Sequence, residues 1–127
     1  MAENTSPDEK FSPIYERLRA IMADATAGLD ATADKPGDYS VQMTPDDPKG
    51  KPIWFGAVQV KKNYVSYHLM PVYEQPELLD GISDALRKKM QGKSCFNFNK
   101  ADEALFTELA NLTARGRQAF DQKHGLK

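Results

Sequence analysis

From Ile14 onward the apolar residues recur every three or four positions, at Ile14, Leu18, Ile21, Met22, Ala25 and Leu29. Arg17, Arg19 and Asp24 fall off that line, so the segment predicts an amphipathic helix. Ser12-Pro13 predicts its start: a hydroxyl able to accept an orphan N–H, then proline at the first helical position. The end is expected near Leu29 or within 30–34, before Lys35-Pro36-Gly37 breaks the pattern. The period then becomes two. Tyr39, Val41 and Met43 alternate with Ser40, Gln42 and Thr44, which predicts a half-buried strand. Thr44 to Pro52 holds turn formers and charges and predicts a loop. Ile53 to Val60 predicts a second strand, apolar on both sides except at Gly56 and Gln59. Lys61-Lys62-Asn63 makes a tight connection to a third strand, Tyr64 to Met70, closed by Pro71.

The helical period returns after Pro76, with Leu79, Ile82, Leu86 and Met90 on one side and Asp84, Arg87 and Lys88 on the other. Gly92 stands where a left-handed C-terminal cap belongs. Ser94 to Phe98 predicts a short fourth strand, and Asn99 a cap for a last helix carrying Leu105, Phe106, Leu109, Leu112, Ala119 and Phe120. The order is α-β-β-β-α-β-α. This predicts an α+β, two-layer domain, a three-stranded antiparallel meander plus a fourth strand, with the helices on one face. If the meander runs up, down, up, the fourth strand returns pointing up and can pair in parallel with an outer strand of a mixed sheet. Which edge it joins is not written in the pattern.

The 127 residues suit one domain, with 1–11 and 122–127 expected to fray. Lys and Arg number 17 against 18 acidic residues, a net charge of -1, so the basic surplus of a nucleic-acid binder is missing. Lys61-Lys62 and Arg87-Lys88-Lys89 with Lys93 are short basic clusters that do not change this. Cys95 is the only cysteine, which excludes a disulfide or a Cys-pair zinc site within one chain. No apolar run approaches the ~20 residues of a membrane span. The polar opening Met1-Ala2-Glu3-Asn4-Thr5 is no secretory signal, so a soluble cytoplasmic protein is expected. G-x-G-x-x-G, G-x-x-x-x-G-K-[ST] and G-x-S-x-G patterns are absent.

Alternation assigns faces. Val65, Tyr67 and Leu69 should meet the helices, leaving Tyr64, Ser66, His68 and Met70 on the opposite side. On the fourth strand Ser94, Phe96 and Phe98 should point inward and Cys95 and Asn97 outward. The second strand adds either Trp54 or Phe55 to the outer face. The candidate binding surface is therefore Tyr64, Ser66, His68, Cys95, Asn97 and Trp54, a semi-polar patch fit for a small ligand, a protein or a second copy. The plainer reading is a set of ordinary outward residues partly covered by a loop. Cys95 and His68 could form a thiolate–imidazolium pair, and with it a cysteine-dependent enzyme, given neighbouring strands and an orienting third group. Iron would need carboxylates. Asp24, Asp30, Asp34 and Asp38, then Asp46 and Asp47 in the loop, are irregularly spaced and mixed with lysines, as solvated surface charge is. His124 falls in a terminal tail.

The run Tyr64-Val65-Ser66-Tyr67-His68-Leu69, then a helix, then Gly92-Lys93-Ser94-Cys95-Phe96-Asn97-Phe98 before a last helix, resembles the YdhG-like, or frataxin-like, family. Its members carry a strand of the "HISLY" kind, a helix and a "KGTIRF" strand entering a C-terminal helix. The match spans roughly Ile53 to Phe120. The family's "YGMPAF" element has no counterpart around Tyr39 to Met43, and Cys95 stands at a usually β-branched or basic position. The resemblance implies an α+β fold and the iron-chaperone role of some members; as an alternative, iron would bind carboxylates on the first helix and the following loop, with Asp46 and Asp47 as the candidate ligands. It supplies no catalytic residues. The expected function is a non-catalytic ligand- or protein-binding module without a cofactor, a homodimer through the open sheet face; iron handling and a Cys95 enzyme are the alternatives.

Overall fold

The computed structural model describes residues 7–43 and 51–124, the side chains from residue 11 onward. The stripe of the first helix begins one turn before Ile14, at buried Phe11, and helix α1 runs Pro7–Ala25. Ser12-Pro13 therefore does not open it: Pro13 lies inside the helix, on its exposed side. Burying Phe11 beside Ile14 and Tyr15 outweighs the one backbone hydrogen bond that Pro13 lacks. The carbonyls of Ala25 and Ala27 at its far end accept from Arg117 Nη1, each at 3.0 Å.

Five strands follow in sequence order: β1 Asp30–Lys35, β2 Asp38–Met43, β3 Ile53–Val60, β4 Val65–Leu69 and β5 Cys95–Phe98. They form one antiparallel meander, β1-β2-β3-β4-β5. The expected order thus gains a strand, and the expected mixed sheet is corrected, because β5 pairs antiparallel with β4. The reason lies in the segment between them. Instead of one helix crossing the sheet it holds three short turns, α2 (Met70–Glu74), a 3-10 turn (Pro76–Leu79) and α3 (Asp84–Arg87). Gly81, at φ +88°, separates the last two, and Ser83 caps α3 by accepting from Leu86 N at 3.1 Å. The chain returns beside the end of β4, where His68 pairs with Cys95. Pro71 ends the strand as expected and also sits in the first turn of α2. Gly92 has the expected positive φ of 83° but serves a tight turn, in which Gln91 N donates to Cys95 O, rather than a helix cap.

Asp30-Ala31-Thr32-Ala33-Asp34-Lys35, expected as helix end or loop, is the edge strand β1. Pro36-Gly37 joins it to β2, with Gly37 at φ +78° as a type II turn requires. Its own side chains bury little, so its attachment is polar. Arg19 reaches Asp34 through two hydrogen bonds of 2.7 and 3.1 Å while lying 4.6 Å from the Tyr39 ring centre, and the Tyr15 hydroxyl donates to Lys35 O.

The inward face of the sheet meets α1 and the last helix, α4 (Glu103–His124). Phe98 packs edge-on against Phe106 at 5.3 Å, and the buried Tyr67 hydroxyl shares a 2.6 Å hydrogen bond with Thr113. Asp102, rather than Asn99, caps α4 through Leu105 N. The helix runs on through residues 122–124, so that stretch is not a frayed tail. His124 bonds Glu74 at 3.0 Å and stacks edge-on against Phe120. No described helix is long and apolar enough to cross a membrane.

One irregularity decides which way β3 faces. Val41 pairs with Gly56 and the next residue, Gln42, pairs with Trp54, leaving Phe55 as an extra residue in β3. This bulge turns both Phe55 and Gly56 toward the helices. Phe55 is fully buried and meets Phe120 at 5.2 Å, while Gly56 lies against Met22. A Cβ on Gly56 would run into the His68 carbonyl oxygen and stand 2.8 Å from Met22 Cε. Gly56→Ala should therefore cost about 3 kcal/mol or more, read as a lower urea midpoint at unchanged slope. An unaltered midpoint would contradict the close approach.

Candidate functional site

Strand pairing places the outward residues in rows that cross the sheet. Ser40, Ala57, His68 and Cys95 are successive cross-strand neighbours, and Asp38, Gln59, Ser66 and Asn97 form the next row. Because the bulge sends Phe55 inward, Trp54 is the aromatic ring on this side. Its indole N–H donates to Ser40 Oγ at 3.1 Å, and its ring centre lies 4.6 Å from that of His68. Ser40 and His68 flank Ala57, so the indole spans Ala57 from one neighbour to the other. That explains why a small outward residue is only 4% exposed while Trp54 above it is 37% exposed.

Hydrogen bonds fix both sides of the His68 ring. Ser94 Oγ lies 2.8 Å from Nε2 and Cys95 Sγ 3.1 Å from Nδ1, and Ser66 Oγ lies 3.3 Å from the same sulfur. The result is a continuous Ser66–Cys95–His68–Ser94 chain. Its backbone is pinned as well: Leu69 N donates to Ser94 O, Gln91 N to Cys95 O and Asn97 N to Lys89 O. Segment 89–91 thereby covers the far side of β5. Burial strips water from the His68 ring and lowers its pKa below the ordinary 6.5. Among the described residues no carboxylate meets either ring nitrogen to offset this. The group favoured at neutral pH is the neutral imidazole, which opposes a thiolate–imidazolium pair. Chemically the arrangement is a fixed donor–acceptor array beside an aromatic ring.

Of the residues chosen from sequence, Trp54, Ser66, His68, Cys95 and Asn97 share this face. Tyr64 lies just before β4, in the turn where its carbonyl accepts from Lys61 N, and its side chain takes no part in the array. Ser94 is corrected: it was expected to point at the core, but its hydroxyl meets His68 on the outer side, since it precedes the paired residues of β5. Ser40 and Ala57 were missed. The alternation of β2 already held the signal for Ser40, opposite Tyr39 and Val41.

Asp46 and Asp47 lie outside the described residues. Among the described ones, no three His, Cys, Asp or Glu residues come together as a metal site. Asp34 is engaged by Arg19, and Asp38 accepts from Gln59 Nε2. A separate apolar groove of ≈ 340 Å³ lies between Val72, Tyr73, Leu79 and Met90. No family model, curated protein or solved structure matches the chain.

The lowered pKa of His68 has a definite sign. Well above pH 6.5 the ring is neutral in both states and contributes no pH dependence. As pH falls from there through the lower folded value, the unfolded chain takes up the proton first and stability declines. Urea unfolding at about pH 7.5 and about pH 5 should show a larger loss in the wild type than in His68→Gln. Equal losses would mean the ring is not desolvated.

Proposed function

We propose that the chain is a non-catalytic binding module that recognises its partner through the outer sheet face, with a second copy of itself as the first such partner. One observation carries this reading: an exposed indole held between Ser40 and His68, next to the hydrogen-bonding row of Gln59, Ser66 and Asn97. A large ring already locked in place loses little freedom on association and offers an apolar centre with a polar rim. The interlocked hydroxyl, thiol and imidazole groups of this array, held on paired strands, support recognition of a polar partner surface. The chain's strand motifs resemble those of the YdhG-like family. Its iron-chaperone branch would draw on Asp46 and Asp47, and no observation at the described carboxylates favours it.

Sedimentation velocity across a concentration series tests the reading. The wild type should self-associate, and Trp54→Ala should weaken association about 30-fold, the usual effect of losing an interfacial tryptophan. Tyr73→Ala, which removes the other exposed aromatic, 55% exposed in the separate groove, should change nothing. Association insensitive to Trp54, or lost with Tyr73, would overturn the proposal.

A further inference from the structure

We propose that the apolar groove between α2, the 3-10 turn and the turn into β5 binds a small monoanionic amphiphile, one apolar tail carrying one carboxylate, as in a medium-chain fatty acid. Three stretches separate in sequence line it: Val72 and Tyr73 of α2, Leu79 of the 3-10 turn, and Met90 and Lys93 ahead of β5. They enclose ≈ 340 Å³, at the small end of the roughly 300–1,000 Å³ of ligand pockets. A single turn of helix, about 10 Å across and about 5 Å long, already exceeds that volume. The groove suits one tail, not a docked helix.

Its walls are fixed before anything binds. Arg87 Nη2 donates to Leu79 O at 2.9 Å and Arg115 Nη1 to Leu78 O at 3.3 Å, which ties the 3-10 turn to α3 and to α4. Across the groove, Gln91 N donates to Cys95 O and Met90 bridges Phe96. Val72 is fully buried at the base. Walls already ordered leave little freedom to lose on binding.

The charge balance sets the head group. Among the described residues Lys93 is the one charged group lining the groove; it is exposed, and no carboxylate pairs with it. Glu74, next to Tyr73 on α2, is already engaged by His124 at 3.0 Å and Lys123 at 3.8 Å. Glu77, on the 3-10 turn, is exposed and outside the lining. Tyr73 adds a phenol whose hydroxyl bonds to no described residue. An ammonium and a hydroxyl beside apolar walls answer one carboxylate on one tail: the tail leaves water, and the head keeps its charge at the rim. A neutral tail forgoes the ion pair, and a dianion brings a charge the groove does not meet.

Amide-resolved NMR of the untagged chain, titrated with decanoate below its micellar concentration, tests this. Saturable shifts are expected at Val72, Tyr73, Leu79 and Met90, with one decanoate per chain. Decanol, with the same tail and no charge, should bind about tenfold more weakly, and acetate should not compete. Lys93→Met should weaken decanoate about tenfold and leave decanol unchanged, while Lys62→Met, in the β3–β4 connection, should change neither. No shifts at millimolar decanoate, shifts centred on the outer sheet face, decanol as tight as decanoate, or equal weakening by Lys93→Met and Lys62→Met would overturn the proposal.

Discussion

Among the described residues, two long helices and five strands leave one helical layer for one sheet, and α1 and α4 lie on the same face. Everything else in the structure follows from that one-sided covering. Phe98 against Phe106, Phe55 against Phe120, Tyr67 bonded to Thr113 and Gly56 against Met22 all lie on the covered side. The other side has to satisfy its polar groups without a helical layer. It does so through side-chain hydrogen bonds between strands and through an indole laid over Ala57.

The bulge at Phe55 connects these two requirements. Regular alternation would turn Trp54 inward and Phe55 outward, since Gly56 and Val58 share the side of Val41 and Tyr39. One extra residue keeps Phe55 with its core partners and sets Trp54 free to reach Ser40 and His68. The close approach at Gly56 is the local condition, since a side chain there would meet the backbone of β4. A packing detail of the core therefore fixes the aromatic centre of the outer face.

Legibility of the fold varied with how strongly each segment marks its period. β4 and β5 alternate strictly, as Val65, Tyr67 and Leu69 or Phe96 and Phe98, and their faces could be assigned from the chain alone. β3 is apolar on both sides, and only the pairing register shows which aromatic turns outward. β1 has no apolar alternation, and Asp, Ala and Lys are poor strand formers. It is a strand because β2 offers an edge and because Arg19 and Tyr15 on α1 hold it. The segment from Pro76 to Met90 has helical spacing, yet Gly81 and the Ser83 cap divide it. For the site, alternation gave its members. The contacts to Ser94 and Ser40 depend on where strands end and pair, and residue order alone does not carry that.

Residue-level hydroxyl-radical footprinting of dilute monomeric protein tests the account most directly, because Trp54 and Phe55 are adjacent and both reactive. One-sided covering with a bulge predicts rapid modification of Trp54 and protection of Phe55, with Tyr67 and Phe96 as slow as Phe55. Similar rates for Trp54 and Phe55, or the reverse order, would contradict it.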